Sequence, residues 1–196
     1  MSLSIALERI HHAIDSDATE LNLSQLQLTA IPKEIQAVKN LQVLDLSDNQ
    51  ISKIENLADL PLQYLNLSSN QISKIENLAG LPLQELVLWS NQISKIENLA
   101  GLPLQELYLS NNQISTIENL DNCFFQTLDL QSNKISKIEN SIKWITENNL
   151  ELEFGRFRNR VERVVFISNN PITDCPIEVL EQGHEEIVAY FEAIKK

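Results

Sequence analysis

Glycine and cysteine are scarce in this sequence. The four glycines are too widely spaced for a G-x-x-x-x-G-K-[ST] or G-x-G-x-x-G motif, which excludes a nucleotide-binding site of either kind: Gly80, Gly101, Gly155 and Gly183. The two cysteines, Cys123 and Cys175, are too few for a disulfide scaffold and have no C-x-x-C spacing. We therefore expect a reduced protein that holds no cofactor.

Basic residues and long apolar runs are also scarce. The 196 residues include 15 basic and 27 acidic side chains, for a net charge of −12. A field of this sign repels phosphate backbones and anionic lipids, so neither nucleic acid nor a membrane surface is an expected partner. No window approaches 18 apolar residues, and the first 14 residues carry Glu8, Arg9, His11 and His12, unlike a signal peptide. We expect one cytoplasmic domain.

Leucine, isoleucine and asparagine are abundant, with 30, 22 and 20 residues. They repeat with a period of 21 residues, most clearly in one asparagine column: Asn49, Asn70, Asn91, Asn112 and Asn133. Around each asparagine the sequence follows L-x-x-L-x-L-x-x-N-x-I-x-x-I, with Phe125 in the first position of the fifth unit. Such self-similarity indicates a solenoid, in which each unit buries its apolar face against the next.

The repeated pattern is that of leucine-rich repeats. Alternate leucines of a short strand point into the core, and the asparagine amide pairs with backbone groups of neighbouring turns. Pro61, Pro82 and Pro103 precede strands and disfavour long helices on the opposite side. The fold class we predict is an α/β solenoid: a right-handed superhelix with a concave parallel sheet, a convex side of short 3₁₀ or irregular turns, and helical caps at both ends.

The two ends depart from the 21-residue period. Leu3, Leu7, Ile10 and Ile14 recur at helical spacing, which predicts a capping helix over about residues 3–15. We divide the chain into this cap (1–17), regular repeats (18–140), irregular C-terminal repeats and cap (141–175), and a helical segment that leads towards a following domain (176–196). Strands are expected near 150–154 and 165–167, joined either as a hairpin or through an irregular loop.

The tail carries a more specific resemblance. Residues 170–183 read N-P-I-T-D-C-P-I-E-V-L-E-Q-G and are followed by H-E-E-I-V-A-Y-F. This segment resembles the junction after the leucine-rich repeats of bacterial Roco proteins. The stretch 144–166 is similar to that family's end cap, and the opening through Pro32 is similar to its front repeat. The repeats themselves are equally similar to the phosphatase-regulator class of leucine-rich repeats.

The Roco resemblance implies a non-catalytic regulatory or scaffolding domain of a GTPase. Its partner would be the protein's own GTPase or dimerising domain, or another protein. The sequence has no phosphate-binding glycine motif, so it is either an excised repeat domain or a short stand-alone relative. The alternative function is a stand-alone adaptor or a phosphatase-regulator-like binding protein. A cysteine-dependent effector enzyme is disfavoured, because no catalytic domain follows the repeats. The oligomeric state stays open.

The concave face is the predicted binding surface. Its outward columns vary from unit to unit while the core columns hardly change. The candidate binding residues form an aromatic patch with an acidic border: Asp45, Tyr64, Glu85, Val87, Trp89, Glu106, Tyr108 and Asp129. Tryptophan and tyrosine are common anchors of protein interfaces. The alternative is that these aromatics only pack against one another to stabilise the sheet.

Other charged and reactive residues are assigned weaker roles. Repeated lysines and glutamates, such as Lys53 and Glu55, are expected to be solvated charges on the back of the coil. Four arginines lie within eight residues and form a candidate basic docking loop: Arg156, Arg158, Arg160 and Arg163. Neither the histidines nor the cysteines have partners at the spacing of a metal or catalytic site, so no enzyme activity is predicted.

Overall fold

A computed structural model describes residues 2–120, 123–154 and 163–194 of the chain. Its strands are three residues long and form one sheet of eight parallel strands: β1 Glu20–Asn22, β2 Val43–Asp45, β3 Tyr64–Asn66, β4 Glu85–Val87, β5 Glu106–Tyr108, β6 Thr127–Asp129, β7 Glu151–Glu153 and β8 Val164–Phe166. In the repeats the middle residue of each strand is a buried leucine, and its neighbours point the other way. The predicted solenoid with a concave parallel sheet is confirmed.

The first coil is covered by helix α1, Ser2–Asp15, where the sequence predicts a capping helix. The buried stripe differs from the predicted one, however. Ala6, Ile10 and Ala13 are buried, whereas Leu3 is 55% exposed. Small side chains on the inner face are compatible with close packing of the helix against the first coil, and the larger Leu3 lies outside the core.

The asparagine column connects successive coils through buried hydrogen bonds. In the third unit, Oδ1 of Asn91 accepts the backbone N–H of Ile72 at 2.9 Å, and Nδ2 donates to the carbonyls of Leu67 and Leu88 at 2.9 and 3.1 Å. Asn170 repeats the arrangement after β8, where Oδ1 accepts the N–H of Ile135. Because these backbone groups are buried, each asparagine satisfies polar groups that would otherwise lack partners.

The convex side consists of tight turns, as predicted. Residues Lys33–Ala37 form a short 3₁₀ helix, and later coils close with single backbone bonds such as Leu60 N–H to Leu57 carbonyl. A second asparagine column donates to carbonyls of the preceding coil from left-handed backbone positions: Asn56, Asn77, Asn98 and Asn119. Asn140, 21 residues after Asn119, lies in a helix, and the hydroxyl of Ser141 donates to the carbonyl of Ile117 instead.

The C-terminal coils change the order of the strands. Helix α2, Glu139–Glu147, precedes β7. Strand β8 then inserts between β6 and β7 and is parallel to both, so the strand order is β6-β8-β7. The hairpin alternative is therefore wrong. The segment 155–162 that connects β7 to β8 lies outside the described residues.

The chain ends in two helices, α3 at Ile177–Leu180 and α4 at His184–Ile194. The apolar stripe of α4 would be exposed if the helix projected away from the solenoid. The helix instead packs against the last coil. Ile187 and Phe191 are fully buried, and the backbone N–H of Leu152 in β7 donates to Nδ1 of His184 at 3.4 Å. α4 thus covers part of the sheet edge and of the exposed end of the core.

Candidate functional site

The strand register forms the outward columns of the concave face. The first column pairs Tyr64, Glu85 and Glu106 across adjacent strands, and the second pairs Asn66, Val87 and Tyr108. These are the columns predicted from the repeat, because every strand stays in phase from β2 to β6. The register therefore aligns seven of the eight candidate residues on one face of the sheet, and Trp89 follows two residues after Val87.

The second column has a structural role in four of its coils. Asn22, Asp45, Asn66 and Asp129 each accept, through Oδ1, the backbone N–H of the residue two positions later, at 2.9–3.0 Å. This Asx turn bends the chain out of the strand. The requirement explains why the column is Asn or Asp in four of the six strands from β1 to β6, and it means that Asp45 and Asp129 stabilise their own coils.

Strands β4 and β5 break this rule at the centre of the sheet. Val87 has no side-chain acceptor, and the hydroxyl of Tyr108 donates to a carboxylate oxygen of Glu106 rather than serving the turn. Both coils therefore lack an Asx turn at a position where the neighbouring coils have one. The residues that replace it are apolar or aromatic and stand beside Trp89.

Exposure differs among the predicted patch residues. Trp89 is 39% exposed, whereas Tyr64 and Tyr108 are half-buried. Val87 and Asp129 are each 6% exposed, so their assignment to an exposed patch is corrected. Val87 lies between Asn66 and Tyr108 in the register, Asp129 lies between Tyr108 and Phe166, and both offer little surface. The accessible part of the patch is aromatic.

The carboxylates of the concave face perturb one another. Burial, and then the charge of Glu106, raises the pKa of Glu85 above its usual value. Burial, the hydrogen bond to Glu106 and nearby negative charges raise the pKa of Tyr108 well above the usual range. The pKa of Asp129 is also raised, by burial, although hydrogen bonds from Gln131 and Ser110 oppose the shift. The face is thus a region of negative potential.

The face extends beyond the predicted columns. The register adds Val164 and Phe166 of β8 beside Thr127 and Asp129, and both added side chains are buried. Sequence spacing did not assign them because the last coils leave the 21-residue period. The available signal is the return of the turn motif at Ser168–Asn170, which places a strand just before it.

The structure describes the remaining charged candidates in part. Arg156, Arg158 and Arg160 lie outside the described residues, and Arg163 is half-buried beside β7, where its carbonyl accepts the N–H of Glu151 at 2.9 Å. Lys53 and the matching lysines of later coils are exposed, and the ion pair between described residues joins Lys143 to Glu147 within α2, at 3.7 Å. The repeated charges do not form an ion-pair ladder in the part of the chain that is described.

The histidines and cysteines do not assemble into a reactive site within the described residues. His11 and His12 are exposed on α1, and Cys123 and Cys175 are buried. Residues 2–120, 123–154 and 163–194 contain no group of three His, Cys, Asp or Glu side chains that could hold a metal ion. The same residues include no helix with the length and apolarity needed to cross a membrane.

Comparison with known families agrees with the repeat. Protein-family models described as leucine-rich repeats match residues 17–72, 62–101, 83–122 and 121–137. Together these matches cover more than half of the chain. No curated protein matches the sequence.

Solved structures of bacterial proteins share the fold. An internalin (inlF) from Listeria monocytogenes superposes with a TM-score of 0.59 at 26% identity, over 83% of this chain and 51% of that one. An internalin C2 (inlC2) from the same organism gives 0.56 at 27% identity, over 86% and 85% of the two chains. A Shigella effector domain gives 0.57 at 21% identity, over 87% and 77%. The chain spans about half of the length of the first internalin.

Proposed function

Because the chain is a leucine-rich-repeat domain, we propose that it binds another protein through its concave face and catalyses no reaction. Domains of this family generally bind proteins, and their parallel sheet offers an extended surface for a partner. The surface we assign to binding is centred on Trp89 and Tyr108, with Tyr64 and Glu106 beside them.

The observation that carries this proposal is the break in the Asx column at β4 and β5. An intramolecular hydrogen bond contributes about 1 kcal/mol, so local stability favours Asn or Asp at this position. The two central coils have Val87 and Tyr108 there, next to the exposed Trp89. Apolar and aromatic groups that replace a stabilising residue on an open face are typical of a contact surface.

The structural alternative, that the aromatics only pack against one another, has less support. The ring contacts between described residues join Phe125 to Trp144 and Tyr190 to Phe191, and neither pair lies on the concave face. None of these pairs joins Tyr64, Trp89 and Tyr108 to one another, and Trp89 is 39% exposed. This exposure favours contact with a partner.

The experiment is capture of a partner by the immobilised domain from extracts of the cells that make it, with identification by mass spectrometry. Trp89→Ala combined with Tyr108→Ala is expected to abolish capture while thermal unfolding changes little. Phe124→Ala is the matched control, because this ring is 69% exposed on another face. Equal capture by wild type and the double variant, or a large loss of thermal stability in the double variant, would contradict the proposal.

The finer proposal is that this domain belongs to a Roco-type GTPase and contacts the GTPase domain or another protein. Its support is the tail segment 170–191. The alternative is a stand-alone adaptor or phosphatase-regulator-like protein, supported by the repeats, which fit both classes. Genomic sequence after the codon of Lys196 separates them: a Ras-like domain in the same frame supports the first, and a stop codon supports the second.

We also propose a cytoplasmic location, which the two buried thiols support because reduced cysteine is typical of that compartment. Subcellular fractionation with an antibody against the domain tests it. Recovery from the extracellular medium would contradict this part of the proposal.

A further inference from the structure

The outward positions of the sheet carry acidic side chains and no basic ones. Each strand offers its first and third residues to this face, which gives 16 described positions over the eight strands. None of them is lysine or arginine, and seven are acidic: Glu20, Asp45, Glu85, Glu106, Asp129, Glu151 and Glu153. The chain as a whole has 15 basic residues, so their absence here is a property of this face.

The described residues do not neutralise these carboxylates. The ion pair between described residues lies on α2, away from the sheet. Glu85 and Glu106 stand directly opposite each other on β4 and β5, and like charges in such a pair are destabilising. The raised pKa of Glu85 has this repulsion as its second cause after burial. A cation placed on this pair would relieve the repulsion.

From this charge pattern, we propose that the partner of the concave face is a basic protein segment that sets a lysine or arginine side chain against Glu85 and Glu106. The inference rests on the proposed function and specifies the chemistry of the partner. Neighbouring strands are about 4.8 Å apart, so one ammonium or guanidinium group can contact both carboxylates.

The aromatic residues suit the same partner. Trp89 lies just after β4, and Tyr64 and Tyr108 lie on the strands at either side. A lysine or arginine lays its aliphatic stem on such rings, and its charge is attracted to the ring faces. The hydroxyl of Tyr108 donates to Glu106 and holds that carboxylate in place. Aromatic rings and carboxylates thus form one recognition surface rather than two.

The charge of the face also has a long-range effect. Seven acidic side chains, with no lysine or arginine among the outward strand positions, produce a negative potential that attracts a basic segment before contact. The Debye length is about 8 Å at physiological ionic strength, so this attraction weakens when salt is added. The inference therefore requires binding that is sensitive to ionic strength.

The test uses the 196-residue chain and a fully randomised library of displayed 12-residue peptides. Selection on the wild-type domain is expected to enrich peptides rich in lysine or arginine. Glu85→Gln with Glu106→Gln is expected to reduce their affinity by about tenfold or more, because the charge-assisted contacts are lost. The matched control is Glu97→Gln with Glu118→Gln, which removes the same charge from the same repeats outside the sheet and should change affinity less than about twofold.

The outcomes separate this inference from the proposed function. Enriched peptides that need Trp89 and Tyr108 but carry no positive charge, or that bind the two glutamine double variants equally, would overturn the basic partner and leave protein binding intact. Failure to select any peptide that depends on Trp89 and Tyr108 would overturn both. Basic peptides lost only with the Glu85/Glu106 variant, and weakened by salt, support the inference.

Discussion

The carboxylate of Asp174 caps the helix that begins at Glu139. Its Oδ2 accepts the backbone N–H of Glu139 at 2.9 Å and that of Ile138 at 2.8 Å, from 35 and 36 residues further along the chain. A negative side chain at a helix N-terminus satisfies N–H groups that lack partners within the helix. The tail segment therefore holds α2 in place, besides any role in leading to another domain.

Replacement of Asp174 by alanine should destabilise the C-terminal cap. It removes two hydrogen bonds to the start of α2, and loss of an N-cap costs about 0.5–2 kcal/mol. Urea unfolding followed by circular dichroism measures the change. Asp174→Asn keeps one acceptor oxygen and should lose less than the alanine variant. Equal losses would mean that the cap is not the source of the effect.

Replacement of Asn91 by alanine should cost more than a typical surface change. It leaves the N–H of Ile72 without its buried partner, and it removes one of two donors from the carbonyls of Leu67 and Leu88, which keep Asn70 and Asn112. One unsatisfied buried group costs about 1–3 kcal/mol, so we expect a loss within this range. The control is Gln92→Ala at the exposed next residue, which should change stability by less than about 0.5 kcal/mol.

Replacement of Gly80 by alanine tests the convex turn. Gly80 has φ +82°, and a Cβ built there meets no atom within 4 Å, so the cost is that of the backbone conformation alone. We expect a loss of about 1 kcal/mol in denaturant unfolding. Asp59 occupies the same turn of the previous coil at φ +64°, and Asp59→Gly should be neutral or slightly stabilising. Losses in both variants would contradict this explanation.

Replacement of Trp89 by alanine should have a small effect on stability for so large a side chain. It stands on the open sheet face, where a cross-strand contact contributes about 0.2–1 kcal/mol. Phe125→Ala is the comparison, because that ring is fully buried and its loss should cost about 3–5 kcal/mol. A comparable loss for Trp89→Ala would show that this aromatic side chain is structural.

The raised pKa of Glu85 predicts how stability depends on pH. The carboxyl group of Glu85 holds its proton more tightly in the folded protein than in the unfolded chain, where its pKa is near 4.5. Between the unfolded and the folded pKa of Glu85 the folded state binds more protons. The free energy of unfolding therefore falls as pH rises through this window. Glu85→Gln should therefore be neutral below the window and stabilising above it, as followed by urea unfolding at several pH values.

The same pH series has an internal control. The charge of Glu106 is one cause of the raised pKa of Glu85, after burial. In a Glu106→Gln background the gain from Glu85→Gln at neutral pH should therefore shrink. A gain that is independent of pH or unaffected by Glu106 would contradict the electrostatic origin.

The repeated part of the fold is predictable because one physical requirement recurs in each coil. The leucines of the strands and the asparagine column have the same burial and the same backbone partners from Asn49 to Asn133. The concave columns follow directly from this phase. The assignment of their aromatic residues to binding remains a proposal.

The ends are less predictable because their contacts join residues distant in sequence. Asp174 accepts hydrogen bonds from residues 35 and 36 positions earlier. Asn170 continues the asparagine column, but at an irregular spacing from Asn133. The insertion of β8 between β6 and β7 depends on sheet pairing, which the local pattern does not encode. Val87 was expected in the exposed patch because its column is outward, and neighbouring side chains bury it.

The place of β8 makes the C-terminal end of the solenoid less modular than its middle. Coils from β2 to β5 are equivalent 21-residue units, so adding or removing one preserves every interface of the next. Near the C-terminus, β7 reaches the rest of the sheet through a strand that follows it in the chain. Stepwise truncation would remove β8 first and leave β7 without its strand partner. Evolution or design can thus vary coil number in the middle, while the closing unit from α2 to α4 is kept or lost as a whole.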